Sequence, residues 1–193
     1  LSTLYGKECR RFFKVWLQTI VAPIITSMLF LAVFALAIGR SMPELGGVSF
    51  LQFMAPGLIV MAIMQNSFAN TSSSLMISKV QGNVVDVLMP PLSPGELLIG
   101  FAFGGVSRGL VVALMLSLVI LPFVHLEVHN FGFLLLHALA ASLMLSLLGL
   151  LTAIWAEKFD QLAAVTNFVV TPLAFLSGTF YSIDRLPEPL FTA

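Results

Sequence analysis

The stretch FGFLLLHALAASLMLSLLGLLTAIWA, from Phe131 to Ala156, decides the class of this protein. It contains no Asp, Glu, Lys or Arg, and most of its residues are apolar. A helix needs about 20 mostly apolar residues to cross the hydrocarbon core of a bilayer, because backbone groups in lipid must be hydrogen-bonded within the segment. The stretch exceeds that length and is predicted to be a transmembrane helix.

The composition of the whole chain agrees with a membrane protein. Of 193 residues, 59% are hydrophobic and 9% are charged, whereas soluble domains carry about 25% charged residues. The formal net charge is zero and the basic residues are not clustered, which argues against a nucleic-acid partner. Cys9 is the only cysteine, which excludes an internal disulfide and a thiolate metal cluster.

Other apolar segments have the same character. We predict five spans in all, the further four being Val15–Ile38, Phe50–Ser74, Leu97–Val124 and a segment that begins near Leu162 and runs to Ile183. The predicted fold is an all-α integral membrane protein, a polytopic helical bundle. Because the sequence starts at Leu1 without a methionine and stops at Ala193, we expect it to be a fragment.

The basic residues predict the orientation. An N-terminus in the cytoplasm places two basic residues outside, Arg40 and Arg185, and six inside, namely Lys7, Arg10, Arg11, Lys14, Lys79 and Lys158. This distribution follows the positive-inside rule, whereas the opposite orientation inverts it. Residues 1–14 mix aromatic and basic side chains, which indicates a helix in the cytoplasmic interface, with aromatics inward and cations toward headgroups. The alternative is an ordinary positively flanked end of the first span.

The connection between the second and third spans, residues 79–92, is neither apolar enough to cross a membrane nor polar enough for a plain linker. One apolar face of a short helix is predicted from the i, i+4, i+7, i+8 spacing of Val80, Val84, Val87 and Leu88. Prolines follow, and Ser93 with Glu96 forms a capping-box pattern for the next helix. Such a stripe suits a hydrophobic groove on a partner, or it rests on the membrane surface or on neighbouring helix ends.

This arrangement resembles the permease subunit of ABC exporters of the ABC-2 type. LMPPLSPGE (88–96) is similar to the loop before span three in bacterial members, and FLSGTFYSIDRLPEPL (175–190) is similar to their segment after span five, with Asp184, Leu186 and Pro187 on the family's pattern. There the chain dips into the outer leaflet and returns before a sixth span, which is missing here. The resemblance implies a re-entrant outer gate that includes Phe175, Gly178, Phe180 and Tyr181.

The resemblance also implies partners and a mechanism. Val80, Val84, Val87 and Leu88 would lie on a coupling helix that docks on an ABC ATPase subunit, and the permease would pair with a second permease copy. The sequence has no GxxxxGK[ST] motif, so this chain is expected to hold no cofactor and not to be an enzyme by itself. ATP and Mg would be bound by the ATPase. The expected setting is the bacterial inner membrane, with lipids around the chain and a drug, lipid or polysaccharide as substrate.

Polar residues inside two spans are candidates for the substrate pathway. Gln65, Asn66 and Asn70 lie in the second span, and Arg108 is a cation within the third. Polar groups at these depths face other helices or a water-filled cavity. For the amides, the alternative is hydrogen bonding between helices for packing; for Arg108, it is snorkelling to lipid headgroups.

The sequence contains two further candidate features, and two other functions are alternatives to this interpretation. His125–His129 reads HLEVH, but this loop lacks a helical framework to fix metal ligands, and His137 is expected to be a hydrogen-bonded structural residue. An ion-coupled secondary transporter predicts inverted repeats and buried carboxylates, and neither is visible in the spans. An intramembrane lipid-modifying enzyme requires acids, histidines or a nucleophile converging at one depth, whereas the carboxylates here are scattered through loops.

Overall fold

A computed structural model describes residues 1–37, 44–45, 48–124 and 130–176. Within these ranges the chain is almost entirely helical, which confirms the predicted helical bundle. The helices are Ser2–Lys14 (α1), Ala22–Ala37 (α2), Phe50–Val80 (α3), Val84–Leu88 (α4), Pro94–Ile120 (α5), Phe131–Trp155 (α6), Phe159–Val165 (α7) and Thr171–Leu176 (α8). Single π-helical turns precede α2, at Leu17–Val21, and join α7 to α8, at Thr166–Val170.

In the described residues, four helices are long and apolar enough to cross a membrane: Leu17–Ala37, α3, α5 and α6. The described part of the fifth predicted span is a shorter apolar helix, Phe159–Phe175. Two helices extend past the predicted span ends because they continue beyond the apolar residues, whereas α5 ends at Ile120, before the predicted Val124. Thus α3 runs beyond Ser74 to Val80, and α5 starts at Pro94 rather than Leu97.

Local sequence signals explain where α3 and α5 begin. A strand pair precedes α3, with Glu44–Leu45 (β1) antiparallel to Val48–Ser49 (β2). Ser49 then caps α3 in a capping box with Gln52. The box predicted at the start of α5 is also confirmed, since the Glu96 N–H donates to Ser93 Oγ at 3.3 Å and the Ser93 N–H donates to Glu96 Oε2 at 2.8 Å.

Helix α3 is the centre of the bundle and packs most extensively against α5 and α6. Small residues let the three backbones approach one another. A Cβ added at Gly109 of α5 would collide with Ser67 Oγ of α3, and one added at Gly149 of α6 would lie 2.6 Å from the Phe68 carbonyl oxygen. A hydrogen bond of 2.7 Å between the hydroxyls of Ser67 and Ser142 joins α3 to α6 in the same region.

The apolar core is divided along the bundle. Toward the β1–β2 end, α2, α3 and α5 bury a cluster that includes Leu31, Met54, Leu58, Val112 and Leu116. Toward the other end, a second cluster joins α3, α5 and α6 to the connection after α3, through Leu75, Val87, Phe101, Leu150 and Ala153. The second cluster positions the elements considered next.

Candidate functional site

The connection between α3 and α5 contains the short helix α4, but the predicted apolar stripe does not form a single face. Val80 is the last residue of α3, and a turn separates it from α4. Within that turn Gly82 has φ +74°, a conformation that favours glycine. The prediction of one continuous helical face was therefore wrong, because the chain changes direction between Val80 and Val84.

The four stripe residues separate into inward and outward positions. Val87 is buried in the second core cluster, and Val84 packs against that cluster. Val80 and Leu88 are exposed. The inward pair thus matches the alternative in which the stripe rests on neighbouring helix ends, while Leu88 remains available to a partner.

An exposed apolar knob takes the place of the predicted stripe. It consists of Val85, Leu88 and Met89, whose exposed fractions are 56%, 61% and 75%. Val85 and Met89 were not among the residues predicted to contact a partner, because the helical spacing counted from Val80 placed them off the apolar face. The turn at Gly82 could have indicated them, because helical positions must be counted again from Val84, where α4 begins.

Lys79 fixes the start of this connection to α6. Its Nζ donates to the carbonyl oxygens of Ile154 at 2.6 Å and Ala156 at 2.9 Å. These oxygens belong to the last turn of α6, where carbonyls lack helical partners and a cation is favourable. The sequence indicated Lys79 only as a marker of orientation, and its role as a cap between helices was missed.

Helix α1 lies beside the connection. A cavity of about 370 Å³ separates the two, and it is lined by Leu1, Thr3, Leu4, Lys7, Asp86, Val87, Pro90, Pro91 and Leu92. Glycines of α5 allow α1 to approach closely, since a Cβ added at Gly100 would lie 2.6 Å from Leu4 Cδ2 and one added at Gly104 would lie 2.7 Å from Glu8 Cβ. The α1 helix and the connection are therefore at the same end of the bundle.

The helix predicted for residues 1–14 is present, but its side chains are not arranged as expected. Phe12 is buried, whereas Phe13 and Trp16 are exposed. Arg11 does not point away from the protein, because its guanidinium reaches polar groups of α3. The prediction of cations toward headgroups was thus wrong for Arg11, and the orientation of the exposed Phe13 and Trp16 toward the bilayer stays a prediction.

An ion pair within α1, between Glu8 and Arg11, is hydrogen-bonded to polar groups of α3. Glu8 is 0% exposed, and its carboxylate lies 3.3 Å from Arg11 Nη2 and accepts a hydrogen bond of 2.7 Å from Ser74 Oγ. Arg11 Nη2 also donates to the carbonyl oxygen of Asn70 at 2.7 Å and to its Oδ1 at 3.0 Å, and Nη1 donates to Ser73 Oγ at 3.2 Å. Glu8 was not predicted from the sequence, although its i, i+3 spacing from Arg11 is typical of helical ion pairs.

The predicted pathway residues fall next to this ion pair. Arg108 Nη2 donates to Asn66 Oδ1 at 3.1 Å, so two of the candidates are brought together. Asn70 is one turn along α3 from Asn66 and binds Arg11 instead. Gln65 is half-buried on α3. The interhelical hydrogen bonds weighed for the amides are present at Asn66 and Asn70.

The remaining predicted features are separate from this cluster. His137 Nδ1 lies 2.8 Å from the Phe133 carbonyl oxygen, as expected for a hydrogen-bonded histidine. Phe175 is near the end of α8, while the other gate residues, Gly178, Phe180 and Tyr181, lie outside the described residues, as does the HLEVH loop. In the part of the chain that the structure describes, no group of three His, Cys, Asp or Glu could hold a metal ion.

Comparison with known proteins agrees with this architecture. The family model "ABC-2 type transporter" matches residues 1–192. The chain belongs to the ABC-2 type transporter family. Its resemblance to ABC-2 permeases is thereby confirmed.

Individual ABC-2 relatives are similar over most of this chain. It is 38% identical to the inner membrane transport permease YadH of Escherichia coli K12 over 187 residues, which are 97% of this chain and 73% of that protein. It is 24% identical to nodulation protein J of Rhizobium leguminosarum bv. viciae over 196 residues, covering 92% of this chain and 71% of that protein. No solved structure gives a significant match.

Membership of the ABC-2 family, together with four helices able to span a membrane, defines this protein as a multi-pass membrane permease of an ABC transporter. Permeases of this family generally work with an ABC ATPase. The similarity to an inner membrane permease supports the same membrane for this chain.

Proposed function

We propose that this ABC-2 permease is the membrane subunit of an ATP-driven exporter, and that it takes its driving force from a separate ATPase through the apolar knob on α4. The exposure of Val85, Leu88 and Met89 beside the buried Val87 is the observation that supports the proposal. An exposed apolar helix end fits a hydrophobic groove on a partner. ATP and Mg would be bound by the ATPase alone.

The packing around the knob suits the transmission of force. Val87 anchors α4 in the core cluster shared by α3, α5 and α6. Lys79 holds the preceding residues to the end of α6. A displacement of the knob would therefore move the ends of three helices together, since closely packed elements transmit displacement with little compression.

The proposal places the N-terminus and α4 in the cytoplasm, where the ATPase is. Support comes from the basic residues Lys7, Arg10, Lys14 and Lys79, which occur in α1 or at the end of α3 and belong on the cytoplasmic side by the positive-inside rule. The cavity between α1 and the connection shows that both lie at one end of the bundle. The β1–β2 pair would then face outward.

The route of the substrate would run between two permease copies. On this proposal the polar face of α3 and Arg108 contribute to the inner part of the route, and Phe175, Gly178, Phe180 and Tyr181 form the outer gate. The substrate would be a drug, a lipid or a polysaccharide. The Asn66–Arg108 hydrogen bond supports this location, because in the described part of the chain Arg108 pairs with a neutral amide and with no carboxylate, and an ionisable residue within a span is a candidate for the substrate pathway.

The experiment introduces charge into the knob by the double substitution Leu88→Asp and Met89→Asp. We expect the proposed partner ATPase to be lost on co-purification, while the amount of permease in the membrane is unchanged. Val48→Asp is the matched control, because Val48 is also an exposed apolar residue but lies at the opposite end of the bundle. Retention of the ATPase by the double variant would refute docking through α4.

A further inference from the structure

Two arginines from different helices converge on one face of α3. Arg108 of α5 contacts Asn66, and Arg11 of α1 contacts Asn70. Residues four apart on a helix are neighbours, with Cβ atoms about 5–6 Å apart, so the two guanidinium groups contact asparagines that are one helical turn apart. Gly104 of α5 lies beside this group, since a Cβ added there would lie 3.5 Å from Asn70 Nδ2.

This cluster carries an uncompensated positive charge. It holds two guanidinium groups and one carboxylate, which sum to +1. Among the residues that the structure describes, Glu8 pairs with Arg11, and no carboxylate pairs with Arg108. Arg108 donates to the neutral amide of Asn66 instead. A guanidinium removed from water is costly without a counter-charge.

The cluster also holds donors without acceptors. Nε of Arg108, Nε of Arg11 and Nδ2 of Asn70 are shielded from solvent, and none has a hydrogen-bond partner within the described part of the chain. The acceptor in the same condition, Glu8 Oε2, is the oxygen ion-paired with Arg11. Unpaired donors beside a net positive charge are complementary to an anion with several acceptor oxygens. Arg108 and Arg11 are both partly exposed, so an anion can reach their guanidinium groups from outside the protein, whereas Asn70 is 0% exposed and becomes accessible only when these side chains move.

The position of α1 indicates how deep the cluster lies in the membrane. Tyr5 Oη lies 2.7 Å from Ser107 Oγ, the residue before Arg108, so Arg108 is level with α1. That helix exposes Phe13 and, just beyond its end, Trp16, and aromatic residues of this kind sit at the boundary between headgroups and acyl chains. Arg108 is therefore within reach of lipid phosphates.

We propose that Arg108, Asn70 and Arg11 form a binding site for a phosphate monoanion, supplied by the headgroup of an anionic phospholipid. Arginine suits this ligand because its planar fork matches phosphate oxygens in a bidentate manner. One negative charge neutralises the +1 of the cluster. The inference rests on the membrane setting of the proposed permease but not on the docking of an ATPase.

The test measures lipid binding to the intact permease, delipidated in a neutral detergent. Dioctanoyl phosphatidylglycerol is titrated while thermal stability is followed, with the zwitterionic dioctanoyl phosphatidylcholine as the comparison lipid. We expect phosphatidylglycerol to bind more tightly. Arg108→Gln should weaken its binding about tenfold, the equivalent of about 1.4 kcal/mol. Arg10→Gln is the matched control, because Arg10 is an exposed arginine of α1, and it should bind like the wild type.

A second variant separates binding from folding. Asn70→Asp keeps the Oδ1 acceptor that Arg11 uses, but it replaces the Nδ2 donor by an oxygen and removes the net positive charge. It should therefore fold and lose the preference for phosphatidylglycerol. Equal lipid affinity in wild type, Arg108→Gln and Asn70→Asp would overturn the site. An equal loss in Arg10→Gln would also overturn it, since it would show general surface charge.

The source of the phosphate is tested in the same titration. Inorganic phosphate at millimolar concentration should not displace phosphatidylglycerol if a lipid is the ligand. Displacement that Arg108→Gln abolishes would support the same site with a soluble phosphate ligand, and would overturn the lipid assignment. Failure of the knob experiment on α4 would leave all these lipid affinities unchanged, so the two proposals fail separately.

Discussion

Substitution of Arg11 by Met tests whether the Arg11 side chain, which pairs with Glu8 and donates to Asn70 and Ser73 of α3, holds α1 on the bundle. Methionine keeps much of the arginine volume and removes the charge. Glu8 would then be a buried carboxylate with one remaining hydrogen bond, from Ser74. This loss should make α1 detach from the bundle more often. Detachment should remain partial, because α1 also packs through Phe12 and against Gly100 and Gly104, and the spanning helices should stay folded.

The magnitude follows from the burial of the pair. Removing one partner of a fully buried ion pair costs about 3–5 kcal/mol. The Glu8 side chain is 1% exposed but that of Arg11 is 27% exposed, and solvent screening reduces the value to about 2–3 kcal/mol. The equilibrium for detachment of α1 should therefore shift by about 30- to 150-fold.

Hydrogen–deuterium exchange measures this directly, since amide protection in α1 reports local opening. We expect faster exchange in peptides from Ser2–Lys14 and unchanged exchange in α6. Arg10→Met is the control for loss of surface charge. The double variant Glu8→Gln with Arg11→Met should recover part of the protection, because no uncompensated charge remains, whereas the hydrogen bonds from Arg11 to Asn70 and Ser73 stay lost. Wild-type protection of α1 in Arg11→Met alone would refute the reasoning.

Further predictions concern the helix contacts. Gly109→Ala should destabilise the permease by about 1–3 kcal/mol, because the added Cβ would collide with Ser67 Oγ. Thermal unfolding in detergent measures this loss, and Gly95→Ala is the control because nothing lies within 4 Å of a Cβ at that position. Equal stability of the two variants would contradict the close approach of α3 and α5. Lys79→Met should increase exchange at the end of α6 by removing its cap, and unaltered exchange there would show that the cap is unimportant. Val87→Asp should lower the yield of folded permease, since it buries a charge, and a normal yield would contradict the inward position of Val87.

Much of the fold could be predicted from the sequence because hydropathy and capping are local signals. Phe131–Trp155 is a span by length and composition alone, and the capping box of Ser93 and Glu96 marks the start of α5. What periodicity could not predict was the break at Gly82, because a helical register can be counted across a turn as easily as within a helix. For that reason Val85 and Met89 were missed.

The polar cluster was only partly predictable. Asn66, Asn70 and Arg108 stood out because polar residues within spans are rare. Glu8 and Arg11 did not, since charged residues in a helix at the membrane surface ordinarily face water. That Arg11 turns inward depends on the close approach of α1 to Gly104, a tertiary contact that the sequence of α1 does not contain.

The central claim is that the exposed end of α4 faces the cytoplasm and contacts an ATPase. Leu88→Cys, in a chain where Cys9 is replaced by Ser, allows site-specific cross-linking and labelling at the knob. We expect a cross-link from residue 88 to the ATPase in inverted membrane vesicles and no reaction with a membrane-impermeant maleimide added to intact cells. Labelling of residue 88 from outside the cells would contradict it.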